Sequence, residues 1–132
     1  MAKILCIEDD PVQRSVLRNI LTLAGFDVDV SEDGQAGIEK ASSWQPDLIV
    51  TDSQMPRLNG LQAIEAIRSQ EHLSQTPIIA LSARADRRYH ELVRQAGANE
   101  VLSKPADLTN LVLLIKSYVD QTPAEHLDYQ PE

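Results

Sequence analysis

Five short runs of aliphatic and β-branched residues punctuate this chain, and longer stretches with helical spacing separate them. No other feature constrains the fold as tightly. The runs are Lys3–Ile7, Phe26–Val30, Asp47–Thr51, Pro77–Leu81 and Glu100–Ser103. Such an alternation implies βαβ units and a parallel sheet covered by helices on both faces. Leu48-Ile49-Val50 and Ile78-Ile79-Ala80-Leu81 are continuously apolar, as strands buried on both faces must be. Phe26-Asp27-Val28-Asp29-Val30 alternates apolar with acidic residues, which suits an edge strand with one wet face.

The intervening stretches carry helix start and stop signals. Asp10-Pro11 reads as an N-cap followed by proline at the first helical position. Val12, Val16 and Ile20 then repeat on one face, and Gly25 ends that helix. A second helix starts at Asp33 or Gly34 and stops before Pro46. A third starts near Gly60, with Leu61, Ile64 and Ile67 inward. The fourth starts near Asp86, carries Tyr89, Leu92, Val93 and Ala96, and stops at Gly97. The fifth starts at Asp107, with Leu108, Leu111, Val112, Ile115 and Val119 on one stripe. The prediction is an α/β fold, (βα)₅ and doubly wound, with no internal repeat and no linker. Residues 1–120 form the domain and the polar residues 121–132 a tail.

Of the 132 residues, 42% are apolar but only 4% aromatic, so the core must be built from Ile, Leu, Val and Ala. The formal net charge of −8 argues against nucleic acid and anionic membrane surfaces as partners. The single cysteine, Cys6, lies in an apolar run and reads as a small buried hydrophobe. Charge arrives at Glu8, too early for a signal peptide. No window approaches the ~20 apolar residues of a spanning helix, and a cytoplasmic protein is the expectation.

In a parallel α/β sheet, ligands bind beyond the carboxyl ends of the strands. The residues just after the apolar runs are Glu8 and Asp9, then Asp52, Ser82, and Lys104 followed by Pro105. Three carboxylates, one hydroxyl and one ammonium therefore converge on one rim. Crowded carboxylates repel unless cations relieve them, and Lys104 supplies one positive charge against three negative ones. A divalent metal is the natural remainder, and an all-oxygen donor set favours Mg²⁺ over zinc. Mg²⁺ held by one or two carboxylates takes phosphate readily as a further ligand. A carboxylate can attack phosphorus to give an aspartyl phosphate, with metal and lysine neutralising the transferring group.

ILCIEDDP, PDLIVTDSQMPRLNG, PIIALSA and LSKP, in this order and spacing, resemble receiver domains of two-component response regulators over residues 2–120. The resemblance implies a flavodoxin-like sheet with strand order 2-1-3-4-5. It implies Asp52 as phosphoacceptor, Asp9 as direct Mg²⁺ ligand, Glu8 acting through water, and the backbone carbonyl of Gln54 as a further ligand. Ser82 then matches the switch hydroxyl and Lys104 the phosphate-pairing lysine, with a cis Lys104–Pro105 bond. Expected partners are a histidine kinase or phosphotransfer protein and a downstream protein docking on the fourth helix, fifth strand and fifth helix. A homodimer is compatible with the pattern. Such a chain is not an enzyme beyond catalysing its own phosphorylation and dephosphorylation. If the chain is complete, no output domain follows residue 120 and output is expected through protein docking.

Two departures fall on the signalling side: Val101 stands where the family often has an aromatic residue, and Ala106 where it often has Phe. Gln54 and Arg84, two residues beyond Asp52 and Ser82, are placed to control hydrolysis, Arg84 either by leaning across the mouth or as a mere solvated cation. Exposed Leu113 is a candidate for a docking patch. Two other activities suit the architecture less well. An aspartyl-phosphate phosphatase typically needs an acid at position 54, where this chain has Gln54. A flavodoxin-like flavin carrier needs a phosphate-cradling loop after the first strand, where Glu8-Asp9-Asp10-Pro11 repels phosphate.

Overall fold

The computed structural model describes residues 1–55 and 60–119. Its elements alternate strictly in type apart from one short turn. They are β1 (Lys3–Ile7), α1 (Pro11–Leu23), β2 (Asp27–Ser31), α2 (Gly34–Trp44), β3 (Leu48–Asp52), α3 (Gly60–Arg68), β4 (Ile78–Ser82), α4 (Arg87–Ala96), β5 (Glu100–Ser103) and α5 (Leu108–Val119). All strand pairs are parallel and the order is β2-β1-β3-β4-β5. The chain reverses direction across the sheet between β1 and β3, so a crevice opens beyond the carboxyl ends of those two strands. Strand ends β2, β3 and β4 fall one residue later than the apolar runs suggest, which makes Asp52 and Ser82 the last residues of their strands.

Side-chain alternation along each strand builds two cores. Ile4, Cys6, Leu48, Val50, Ile79 and Leu81 face α1 and α5, where Leu17, Leu21, Leu111 and Ile115 meet them. Leu5, Ile7, Ile49, Ile78, Ala80 and Val101 face the other way, against Ala41, Ile64, Ile67, Tyr89 and Val93. Each such Leu or Ile contributes about 2 kcal/mol relative to leaving it in water. Cys6 is buried as expected, and burial pushes its thiol up to about 12.

Aspartates start four of the helices. Asp10 accepts from the Gln13 amide (2.8 Å), Asp33 from Ala36 (2.8 Å) and Asp86 from Tyr89 (3.2 Å). Asp107 accepts from Thr109 and Asn110 (3.0 and 3.2 Å). Each cap is worth about 1 kcal/mol.

Three helix details differ from the sequence reading. On α1 the inward residues are Leu17 and Leu21. Val12 and Val16 are 69% and 41% exposed, because the i, i+4 row through them drifts around the helix to its flank. On α4, Leu92 is 47% exposed, while Tyr89 and Val93 are the residues that point inward. A single 3₁₀ turn at Glu71–Leu73 buries Leu73 beside α3; one turn is too short to leave a periodicity. Trp44 ends α2 and packs at its edge, with the Lys3 and Lys40 ammoniums 5.4 and 5.9 Å from its ring centroid. His72 is exposed and His90 half-buried. The tail 121–132 and His126 lie outside the described residues. Among the described residues, no helix is long and apolar enough to cross a membrane.

Candidate functional site

The site sits where β1, β3 and β5 end. β1 delivers Glu8 and Asp9, and the Glu8 amide donates to the Ser31 carbonyl of β2 (3.0 Å), which keeps this loop in the plane of the sheet. β3 delivers Asp52. The following turn is held because the Asp52 carboxylate Oδ1 accepts from the Gln54 amide (3.0 Å), the local bond that Asp favours in turns. Gly60 is required here by close approach. A Cβ on it would lie 2.5 Å from the Asp52 carbonyl and 2.4 Å from Ser53 Cα. β5 delivers Lys104, whose amide donates to the Ser82 carbonyl (2.7 Å), and the Lys104–Pro105 bond is cis.

One carboxylate oxygen from each of Glu8, Asp9 and Asp52 lies within 4.8 Å of the others. Glu8 is 1% and Asp52 6% exposed. Lys104 Nζ is shared between them, 3.2 Å from Glu8 Oε1 and 3.2 Å from Asp52 Oδ2. Its third contact is Gln13 Oε1 at 3.0 Å. The second Glu8 oxygen accepts from the Asp10 amide (3.1 Å). Arg14 Nη1 donates to the Glu8 and Asp9 carbonyls (2.9 and 3.3 Å), leaving their carboxylates to face the rim.

Burial raises the Glu8 pKa above the ordinary carboxylate value; the Asp10 amide opposes this, Asp52 adds to it, and Lys104 opposes it. For Lys104, burial pulls downward, but the Asp52 and Glu8 carboxylates outweigh it and hold the ammonium above the ordinary lysine value. The rim thus keeps a charged lysine and still carries three carboxylates against one ammonium. That deficit, together with a donor set made only of oxygen, fits a hard divalent cation such as Mg²⁺ and not a thiophilic or imidazole-seeking metal.

The remaining residues singled out from sequence stand as follows. Ser82 is fully buried at the end of β4, one step past Leu81, which pairs with Asp52. Its hydroxyl is turned into its own loop, donating to the Arg84 carbonyl (2.9 Å) and accepting from the Arg84 amide (3.0 Å). Arg84 does not lean across the mouth. Its guanidinium pairs with Asp86 (3.1 and 3.2 Å) and sits 4.3 Å from the Tyr89 ring centroid. Gln54 is exposed at the edge. Sequence reasoning missed Gln13, Arg14 and Ser53, and it read Tyr89 only as a packing residue of the fourth helix. Gln13 and Arg14 are one helical turn past the Asp10 cap and so overhang the rim, a signal that helix phase could have supplied; nothing local marks Ser53.

A model of the response regulator receiver domain matches residues 4–116 of this chain. Hybrid signal transduction histidine kinase D of Dictyostelium discoideum is 34% identical over 92% of this chain, which corresponds to 8% of that kinase's length. The polar-differentiation response regulator DivK of Brucella ovis is 28% identical over 88% of this chain and 94% of its own. Among solved structures, the receiver domain of a Pseudomonas aeruginosa sensor histidine kinase, with a magnesium ion coordinated in its active-site cleft, superposes with a TM-score of 0.84. It is 33% identical and covers 91% of this chain and 98% of that one. With the sheet order, the acidic crevice and this match in hand, the chain belongs to the response regulator receiver domain family of two-component systems.

Proposed function

We propose that Asp52 accepts a phosphoryl group from a phosphohistidine on a histidine kinase or phosphotransfer partner, and that the product shifts the domain between two conformations. The observation that carries this reading is the shared ammonium: Lys104 bridges Glu8 and Asp52 at 3.2 Å each, inside a carboxylate trio that it only partly neutralises. A carboxylate oxygen of Asp52 bonds to phosphorus, the phosphorus–nitrogen bond breaks, and its electron pair returns to the imidazole. Lys104 can follow the charge onto the new phosphoryl oxygens by giving up Glu8. Ser82 can turn from the Arg84 carbonyl to donate to a phosphoryl oxygen.

Glu8, Asp9, Asp52 and the Gln54 carbonyl are the ligands that would hold Mg²⁺, which when bound supplies charge neutralisation at the transferring group. Beyond its own phosphorylation and dephosphorylation the chain has no enzymatic role in this reading. We assign residues 1–120 to the receiver and 121–132 to a tail. The phosphodonor reaches the rim over an apolar cleft of about 560 Å³, lined in part by Val12, Val16, Pro105 and Ala106 and open beside Lys104. The downstream protein docks on α4, β5 and α5, where Leu92 and Leu113 stand exposed. In this reading the chain works in the cytoplasm.

Acetyl phosphate with Mg²⁺ is the direct test. The protein should gain one phosphoryl group that hydroxylamine removes, and Asp52→Asn should gain none, since an amide is neither nucleophile nor charged ligand. Undiminished labelling of Asp52→Asn would falsify the assignment.

A further inference from the structure

We propose that Tyr89 is a positioning residue that carries the phosphorylation state of Asp52 to α4, a reading that rests on Asp52 being the acceptor. Tyr89 lies in the first turn of α4 with its ring in the same buried cluster as Val101, Ile49 and Ala80. Its phenol donates to the Ser53 carbonyl (3.2 Å), with Ser53 Oγ at 3.4 Å. Ser53 is the residue directly after Asp52 and is itself held by its amide on the Leu81 carbonyl (2.9 Å). A buried hydroxyl needs a partner, and this one finds it on the backbone of the residue just past the acceptor strand.

The face of the same ring seats the Arg84 guanidinium at 4.3 Å, a cation–π distance. The Arg84 backbone is pinned by Ser82, which donates to its carbonyl and accepts from its amide. Asp86 completes the set, pairing with the Arg84 guanidinium and accepting from the Tyr89 amide. Two threads therefore leave the rim, Asp52–Ser53 and Ser82–Arg84, and they meet on Tyr89.

The Ser82 hydroxyl has one proton. It cannot donate to a phosphoryl oxygen on Asp52 and to the Arg84 carbonyl at once. Phosphorylation therefore breaks the Ser82–Arg84 bond, frees the loop that seats Arg84, and changes the load on the Tyr89 ring. Tyr89 stays tied to Ser53, so the motion is taken up at the start of α4. The Val101 side chain has no polar atom and cannot serve this purpose from β5.

The test uses the whole chain, with beryllofluoride and Mg²⁺ as the phosphoryl stand-in, read by amide chemical shifts. In the parent protein, shifts should change at Asp52, Ser82 and Lys104 and also at Glu91 and Leu92 of α4. Tyr89→Phe keeps the ring and loses the bond to Ser53. Its rim shifts should match the parent's, while its α4 shifts fall to about a fifth, the population change that one ordinary hydrogen bond sets. Arg84→Ala, which leaves the core untouched, should attenuate α4 in the same way. Full-sized α4 shifts in both variants would overturn the proposal and leave Tyr89 a packed core residue. An unresponsive rim in the parent would overturn the Asp52 assignment, and this proposal with it.

Discussion

The two ends of the sheet are each organised around one long cation, and they use it in opposite ways. At the carboxyl end, Lys104 stands among carboxylates. At the amino end, Arg68, the last residue of α3, stands among carbonyls. Its Nε donates to Gly97 (3.0 Å), its Nη1 to Leu73, Ser74 and Thr76 (3.0, 3.3 and 2.6 Å), and its Nη2 to Asn99 Oδ1 (2.8 Å). Asn99 Oδ1 also accepts from the Ile78 amide that opens β4 (2.9 Å). Among the described residues, no carboxylate lies within ion-pair distance of Arg68. Burial lowers its pKa below the ordinary arginine value, yet a guanidinium stays charged in proteins.

The difference teaches what each end is for. A planar fork satisfying several backbone acceptors fixes geometry, because each bond constrains direction. Arg68 thereby joins α3, the 3₁₀ turn and the starts of β4 and β5 into one block. A single ammonium between two carboxylates fixes charge balance but little direction, so it can be redistributed when a new anion arrives. The rigid end stores stability; the other end stores unrelieved repulsion that a bound cation can relieve.

The largest test of that contrast is Arg68→Ala. It strips the donor from the acceptors of two connections, α3–β4 and α4–β5, and should cost about 3 kcal/mol in urea unfolding. Arg68→Lys should recover less than half of this, since one ammonium cannot span the acceptors. A loss below about 1 kcal/mol would mean that water replaces the guanidinium and that the two ends do not differ as argued.

At the opposite end the sign should reverse. Asp9→Ala removes one member of the repelling trio and should raise stability by about 1 kcal/mol in the absence of divalent cations. Added Mg²⁺ should then raise the melting temperature of the parent well above its effect on the variant. Equal Mg²⁺ stabilisation of both proteins would remove Asp9 from the ligand set.

The smallest effect concerns pH. Burial raises the Glu8 pKa in the folded state, with Asp52 adding to it against the Asp10 amide and Lys104. For a carboxyl raised on folding, ionisation opposes folding: its favourable contribution is complete below the unfolded pKa and is lost as pH rises through the folded one. Glu8→Gln should therefore be more stable than the parent at pH 7, with the gap closing as pH falls through the carboxylate range. Measuring both proteins together cancels carboxylates such as Asp29, where burial pulls upward but Lys40 wins and lowers the pKa. A gap that widens toward low pH would contradict the assigned direction.

Much of this was legible in the sequence because it depends on local spacing. The five strands and five helices follow from apolar periodicity, and Asp10, Asp33, Asp86 and Asp107 announce the helix starts by short-range chemistry. Glu8, Asp9, Asp52 and Lys104 follow from the rule that strand ends of a parallel sheet share one rim. The phase of α1 did not follow, because Val12 and Val16 satisfy the same i, i+4 spacing as Leu17 and Leu21. Which row meets the sheet is settled by where the connection from β1 sets the helix down.

What the sequence alone determined, then, is which chemical groups reach the crevice: three carboxylates, a hydroxyl and a lysine, each fixed by its place just at or after a strand. What only the tertiary structure decided is how those groups are engaged. Lys104 divides itself between Glu8 and Asp52, residues 96 and 52 positions away in the chain. Ser82 and Arg84 turn toward α4, and Tyr89 crosses from α4 to Ser53, 36 positions away. Arg68 gathers carbonyls from connections up to 29 positions distant. Periodicity says which face a residue occupies, whereas partners at such separations are set by packing and by the requirement that every buried donor and acceptor be met. That requirement acts only once the whole sheet is assembled.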